Sequence, residues 1–325
     1  MLARSNPCFA ALLALVSTCA VAQDGFPNRP LRMVVPFAAG GVTDIVARTI
    51  APRLGEALAQ AVIVENRGGA GGSIGASAVA RSPADGYTLV VATVSTHAVG
   101  PSVYRNLPYD PLQDFAPVSL VATSPNVIAT GAGQRYRGIP DLMARAKAEP
   151  GKLTYGSSGV GSWNHLAGEV LNRAGGADIA HVPYKGIAAG YPDLLAGRVD
   201  FIFDSLLPLS AYVKNGQVRL LAVTDARRSR FAPDVPTVAE AGYGGYEFSQ
   251  WIGVLALAKT SAAVIARLHA EIARIARNPE IQAALAERGA DAVGSTPAEF
   301  ERSIRADLAR YGKAAQDAGV SIELK

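Results

Sequence analysis

The chain has 325 residues, 49% of them hydrophobic and only 7% aromatic, and its 31 basic and 27 acidic residues leave a formal charge of +4. The charges are interspersed, with no long basic run, which excludes nucleic-acid binding as the main purpose. This length exceeds what one hydrophobic core usually serves and predicts two lobes.

The first twenty-two residues stand apart. Arg4 gives a positive start, residues 9–16 an apolar run, and Ala20-Val21-Ala22 a small-residue cleavage site before Gln23. This pattern predicts a secretory leader cut after Ala22, and no later run approaches the roughly 20 apolar residues of a spanning helix. Both cysteines, Cys8 and Cys19, fall inside the leader. The exported chain is therefore expected to lack disulfides, thiol chemistry and cysteine metal sites. Val16-Ser17-Thr18-Cys19 loosely resembles a lipoprotein processing box. Thr18 is bulky for the position before a lipidated cysteine, so the Ala-x-Ala site is preferred and the expected location is the periplasm.

Beyond the leader, strand and helix patterns alternate. Strands are predicted over 31–35, 61–65 and 87–93, with helices over 44–58 and 73–81. A strand over 118–122, followed by Ser124-Pro125, crosses into a second lobe. That lobe is predicted to hold helices over 139–148, 162–174 and 188–196 and strands over 153–156, 179–182, 200–204 and 218–224. After a turn-rich stretch, 248–256 crosses back, and helices follow over 262–277, 280–288 and 297–318. The resulting division is 23–123 and 247–325 for the first lobe and 124–246 for the second. The alternation argues for α/β lobes with largely parallel sheets, whose ligands gather beyond the carboxyl ends of the strands. Ile265, Leu268, Ile272 and Ile275 recur at helical spacing and read as a core stripe.

The segment running from Val34 through Pro36, Phe37, Ala39, Gly40, Gly41, Val42, Thr43 and Asp44 reads as a strand, a glycine turn and a helix start. Gly40-Gly41 permits close approach to the main chain, and Thr43 or Asp44 is expected to cap the helix. Such a start offers unpaired N–H groups and the positive end of the helix dipole to an anion. A carboxylate there needs no lysine or arginine in contact.

Three further constellations bear on function. In the loop Gly68 to Gly75, Gly71-Gly72-Ser73-Ile74-Gly75 formally matches a nucleophile elbow, which would make Ser73 a hydrolase nucleophile. That elbow needs a strand directly before the serine, whereas Glu65-Asn66-Arg67-Gly68-Gly69 intervenes. The glycine spacing also misses the dinucleotide and P-loop patterns, leaving a backbone-lined anion loop or a plain surface turn. Strand 87–93 ends in the polar run Thr93-Val94-Ser95-Thr96-His97. In the second lobe Ser157, Ser158, Gly159, Gly161 and Ser162 cluster where a helix begins, with His165 one turn in as a capping or packing residue.

The four histidines, His97, His165, His181 and His269, have no metal-ligand spacing, and His269 is placed on a charged helix surface. Asp204, at a strand's carboxyl end, either meets a ligand amine or hydroxyl or caps the next turn. Lys185 either attracts anions or is a solvated loop charge. No cofactor or metal is expected.

Together, in order, these segments resemble the Bug-type substrate-binding receptors of tripartite tricarboxylate transporters. The resemblance rests on Val35-Pro36-Phe37-Ala38-Ala39-Gly40-Gly41-Val42-Thr43-Asp44, on Glu65 to Gly72, on Asp85-Gly86-Tyr87-Thr88-Leu89 and on Gly156 to Ser162. It continues through His165-Leu166-Ala167-Gly168-Glu169, Val182-Pro183-Tyr184-Lys185-Gly186, Leu220 to Thr224, Asp234 to Gly242 and Trp251-Ile252-Gly253. It implies a type II periplasmic-binding-protein fold, two α/β lobes joined by two crossing strands around a ligand cleft, closing by hinge motion. It also implies carboxylate ligands held by main-chain amides and ordered waters. By position, Phe37, Ala39, Gly40, Gly41, Val42, Thr43 and Asp44 would line one wall with Gly72, Ser73, Thr93 and Ser95. Ser157, Ser158, Gly159, Gly161, Ser162, Tyr184, Lys185, Gly186 and Asp204 would line the other.

Two stretches depart from the family pattern: 256–261 lacks the usual prolines, and 187–191 differs after the Pro-Tyr-Lys-Gly turn. The expected function is that of an exported monomeric receptor. It binds a di- or tricarboxylate, an acidic amino acid or an aromatic acid and delivers it to inner-membrane transporter subunits. The alternatives are an exported serine hydrolase-like enzyme and a receptor feeding a sensor.

Overall fold

Strands buried on both faces organise the chain. The computed structural model describes residues 25–324, so the leader and its two cysteines lie outside the described residues. The first lobe opens with β1 (Leu31–Val35), α1 (Val42–Leu58), β2 (Val62–Asn66), α2 (Ser73–Ala80), β3 (Thr88–Thr93), α3 (Gly100–Val103) and β4 (Phe115–Thr123). The second lobe carries β5 (Asn126–Gly131), α4 (Ile139–Ala148), β6 (Thr154–Ser157), α5 (Trp163–Gly175), β7 (Ala180–Pro183), α6 (Tyr191–Leu195), β8 (Phe201–Ser205), α7 (Leu206–Lys214) and β9 (Val218–Val223). The chain then returns through β10 (Trp251–Leu257) to α8 (Ala262–Ala276), α9 (Pro279–Ala286), β11 (Asp291–Ala292) and α10 (Pro297–Ala318). No helix among the described residues is long and apolar enough to cross a membrane.

One sheet has the order β11-β4-β10-β3-β1-β2 and the other β7-β6-β8-β5-β9. The expectation of largely parallel sheets holds only for β2-β1-β3 and β7-β6-β8. β10 is antiparallel to both β3 and β4, and β5 to both β8 and β9. The cause is topological: β4 leads out of the first lobe and β10 leads back, so the two crossing strands run in opposite directions side by side. Four elements went unread in the sequence: β5, α7 and the short α3 and β11. The predicted helix over 188–196 is a 3-10 turn, Ile187–Gly190, followed by α6.

The first sheet shows the two-residue period of a strand packed on both sides. Leu31, Met33, Val35, Leu89, Val91 and Val254 share one cluster with Val46, Ile50 and Leu54 of α1 and Leu268 and Ile272 of α8. Val34, Val90, Ala92 and Leu255 face the opposite way, toward Phe300 and Ile304 of α10. α10 is fixed at its start by a capping box between Thr296 and Glu299 and ends at the left-handed Gly319. It braces the crossing: Trp251 Nε1 donates to Asp307 Oδ2 (2.7 Å) and the Tyr311 hydroxyl to Ser249 O (3.0 Å).

Gly253 sits where β10 meets α10. A Cβ there would overlap the Phe300 ring, which is fully buried and packs edge-on against Trp251 at 4.9 Å. Gly253→Val is expected to destabilise the fold by about 1–3 kcal/mol or more through overpacking. Urea unfolding checks this, and an unchanged midpoint would mean that β10 and α10 do not touch here.

Candidate ligand-binding cleft

The glycine turn after β1 delivers α1 to the cleft with its first turn bare. The N-cap is Gly41, not Thr43 or Asp44, and no side chain caps the helix. Asp44 stands at the third helical position and turns backward instead. Its Oδ2 accepts the Gly40 N–H (2.9 Å), and its Oδ1 accepts from Asn66 Nδ2 (2.9 Å) and Arg48 Nε (3.0 Å). Burial pushes the Asp44 carboxyl up, but the Gly40 N–H, Asn66 and Arg48 more than offset this and hold its pKa below the ordinary 3.8. The carboxylate thus locks the turn from behind and leaves the helix N–H groups facing the cleft.

Facing it across the cleft, the serine-rich loop is largely satisfied within itself. Asn164 Oδ1 accepts from Ser158 N (3.1 Å), Ser158 Oγ (2.8 Å) and Ser162 Oγ (2.6 Å). Ser162 caps α5 as its N-cap residue, and His165 Nδ1 accepts the Gly161 N–H (3.3 Å). Ser157 Oγ shares a 2.5 Å hydrogen bond with His181 Nε2 and accepts the Gly159 N–H (3.0 Å). The Trp163 N–H donates across the cleft to Ser95 Oγ (3.0 Å). The second lobe's helix start is therefore mostly occupied, unlike the first.

The lobes touch elsewhere too. The Ala38 N–H donates to Lys185 O (3.2 Å) and the Tyr104 hydroxyl to Val160 O (2.6 Å). A Cβ on Gly71 would lie 2.7 Å from Ser162 N, and one on Gly186 2.7 Å from Ala38 N. Glycine is required at both by space and by their positive φ of 60° and 142°.

Between the lobes Phe37, Ala38, Gly41, Val42, Thr43 and Ser95 of the first and Ser158, Trp163, Asn164, Gly186, Ile187 and Asp204 of the second enclose a cavity, with Gln250 from the crossing. It measures about 30 Å³, room for one or two waters. None of these residues is Lys, Arg or His. On the second-lobe wall Asp204 Oδ2 accepts the Tyr191 hydroxyl (2.5 Å) and Oδ1 the Ser205 N–H (2.7 Å). Burial pushes the Asp204 pKa up to about 7 against these two donors. Among the described residues no group of three or more His, Cys, Asp and Glu is placed to hold a metal.

A bare helix start over a cation-free cleft between two lobes is a geometry with relatives. The model of the tripartite tricarboxylate transporter family receptor, TctC, matches residues 46–320. The chain belongs to this family. It is similar to the protein BugT of Bordetella pertussis, 36% identical over 304 residues and 93% of either chain. Among solved structures it resembles Rpa4515 of R. palustris with adipate, at 38% identity and a TM-score of 0.87, covering 92% of this chain and 100% of that one. It also resembles MatC from Rhodopseudomonas palustris with bound malate, at 29% identity and a TM-score of 0.85, covering 89% and 99%. The family is one of solute-binding receptors of the periplasmic-binding-protein fold.

The receptor's cavity gathers Phe37, Gly41, Val42, Thr43, Ser95, Ser158, Gly186 and Asp204 of the residues read from the sequence. Ala39 and Gly40 are on the exposed outside of the turn. Asp44 is behind the helix start. Gly72 is packed against the Phe37 ring and Thr96, and Ser73 is buried in the first turn of α2, where its hydroxyl and that of Tyr109 crowd Gly100. A 3-10 turn, Ala70–Gly72, precedes Ser73 in place of the strand that a nucleophile elbow needs. Thr93 Oγ1 accepts the Ser95 N–H. Ser157, Gly159, Gly161 and Ser162 form the loop's own bonds and the lobe contact. The Tyr184 hydroxyl turns to Asp193 (2.8 Å), and Lys185 contributes its carbonyl to the lobe contact while its side chain is exposed.

Ala38, Trp163, Asn164, Ile187 and Gln250 also line the cavity and were not read from the sequence. Trp163 and Asn164 directly follow the serine cluster, a signal that was available. Gln250 gave none, because only the crossing of the strands brings it in; its amide, oriented to suit both neighbours, accepts from Trp163 Nε1 (3.2 Å).

The histidines are structural. His269 is half-buried, with Nδ1 at 3.1 Å from Val118 O, and not merely on a charged surface. Burial pushes His97 down to about 3, and burial with the neighbouring His165 pushes His181 to about 3. Below the ordinary 6.5, the unfolded chain binds a proton that folded His97 refuses until about pH 3. Stability from this residue is thus fully present above pH 6.5 and is lost as pH falls through that window. Near pH 5, His97→Gln is expected to flatten the dependence of unfolding free energy on pH by up to about 1.4 kcal/mol per pH unit. Denaturation at pH 4, 5 and 6 measures it; an unchanged slope would mean that His97 titrates alike in both states.

Proposed function

We propose that this chain is an extracytoplasmic solute receptor that seats the carboxylate of a small organic acid on the first turn of α1 and delivers the acid to the inner-membrane subunits of a tripartite tricarboxylate-type transporter. The observation that carries the reading is the uncapped helix start at Gly41, aimed into a cleft with no cationic side chain. Unpaired N–H groups and the helix dipole supply the counter-charge, and waters bridge what the amides do not reach. Candidate ligands are di- and tricarboxylates, acidic amino acids and aromatic acids, and the adipate and malate of the two structural neighbours fall in this range. The chain is read as exported, cut after Ala22, and monomeric in the periplasm. The lobes close over the acid by hinge motion about the crossing strands.

A thermal-shift screen of such acids tests the class. A ligand at a hundred times its Kd should stabilise the folded receptor by about 2.7 kcal/mol. Were no acid to raise the melting temperature while a sugar or a cation did, the carboxylate reading would fail.

Gly41→Val tests the seat. Gly41 has φ −80° and ψ 172°, open to any residue, and the nearest atom to a new Cβ is Ala38 O at 3.9 Å. The fold should hold while the branched side chain fills the cavity at the helix start. Loss of two charge-assisted hydrogen bonds predicts affinity about 100-fold lower or worse by calorimetry. Unchanged affinity would place the anion elsewhere.

A further inference from the structure

The bare start of α1 accounts for the first-lobe wall of the cavity; the second-lobe wall has its own chemistry. Asp204 closes β8 with only 2% of its surface exposed and lines the same cavity. A carboxylate has about four acceptor positions. The Tyr191 hydroxyl and the Ser205 N–H use two of them, leaving acceptor capacity unspent. No lysine, arginine or histidine lines the cavity to neutralise the group. The nearest titratable neighbour is Tyr191 of α6, backed by Tyr212 of α7 at a ring distance of 5.6 Å. The paired residue on β5 is Val127. The first lobe presents only Phe37, Val42, Thr43, Ser95 and main chain.

The two walls of the cavity are therefore unlike: bare helix N–H groups on the first lobe, and on the second a buried carboxyl beside the Ser158 hydroxyl and the already engaged amide of Asn164. We infer that Asp204 is the specificity-determining residue, and that it selects acids whose far end carries a hydrogen-bond donor, a hydroxyl or an ammonium, over acids that carry a second carboxylate there. This rests on the carboxylate seat proposed at Gly41. An ammonium or hydroxyl uses the spare acceptor positions of Asp204. A second carboxylate brings like charges together in a buried space, so one of the pair must hold a proton. The Asp204 pKa, raised by burial to about 7, makes that proton exchange occur near neutral pH. An ammonium ligand favours ionised Asp204 and releases a proton at pH 7, whereas a dicarboxylate is taken up with one.

The test uses straight-chain acids that differ only at the far end: succinate, 4-hydroxybutanoate and 4-aminobutanoate, with their three- and five-carbon counterparts. Titration calorimetry at pH 7 in two buffers of different ionisation enthalpy reads affinity and proton exchange together. The expected order is amino or hydroxy acid over dicarboxylate by about tenfold or more, with proton release for the amino acid and uptake for the dicarboxylate. Asp204→Asn should remove the proton exchange and bring the affinities within about threefold of each other. Asp204→Glu should restore the exchange, separating charge from packing. An unchanged preference in Asp204→Asn, or wild-type preference for the dicarboxylate without proton uptake, would overturn the inference. Gly41→Val separates the two readings. If it abolishes binding of all the acids while Asp204→Asn changes nothing, only the role of Asp204 falls. If it leaves binding intact, the carboxylate seat itself is wrong.

Discussion

The first turn of α1 depends on a carboxylate that faces away from the cleft. Asp44 satisfies the Gly40 N–H and gathers Asn66 and Arg48 on the outer side of the turn. A serine or threonine at the N-cap would spend its own oxygen on the N–H groups of the helix start; glycine has none to spend. The dipole end stays open toward the cleft because the residue that might have quenched it is engaged elsewhere. Asn66 extends the arrangement by donating to Phe37 O as well (3.1 Å), so the end of β2 sets the path of the loop after β1. Parallel pairing of β1 with β2, which places Val35 opposite Asn66, is what makes this reach possible.

This arrangement explains why a binding cleft for acids can lack cationic side chains. Lysine or arginine would bring a full charge whose burial is costly unless it is paired. Peptide N–H groups bring partial charge already desolvated by the fold, and they cost no ordering of a long side chain. The second lobe answers with hydroxyls and one carboxyl. Its helix start is closed off by Ser162, Asn164 and, from across the cleft, Ser95. The two lobes do not face the cavity alike: one presents an uncapped helix start, and the other a capped one with a buried carboxyl.

Much of this was legible in the sequence, for local reasons. The first strand at 31–35, the helix at 139–148 and the last helix at 297–318 have the bounds the periodicity indicated, and Phe37, Gly41, Val42 and Thr43 stand together because a strand-turn-helix is a local device. What stayed hidden was non-local. β5 reads as an apolar run straight after a crossing strand, and only its antiparallel pairing with β8 and β9 shows it to be separate. α7 follows β8 without a break, so no turn signal marks where the strand ends and the helix begins. The inward turn of Ser73 and the arrival of Gln250 are set by packing and strand crossing, neither of which leaves a mark in neighbouring residues. The cap differs for a related reason: Thr43 and Asp44 are good capping types, but the backbone sets the N-cap at Gly41, two and three positions before them.

The seam between the lobes is made largely of main-chain atoms. Gly71 lies against the backbone of Gly161 and Ser162, and Gly68 and Gly186 lie against Lys185 O and Ala38 N. Beside these main-chain contacts stand two that use side chains, the Tyr104 hydroxyl on Val160 O and Ser95 Oγ under the Trp163 N–H. Ala38, Ser95, Trp163 and Gly186 line the cavity and also make seam contacts, so a substitution at any of them acts on the shape of the cavity and on the lobe contact at once.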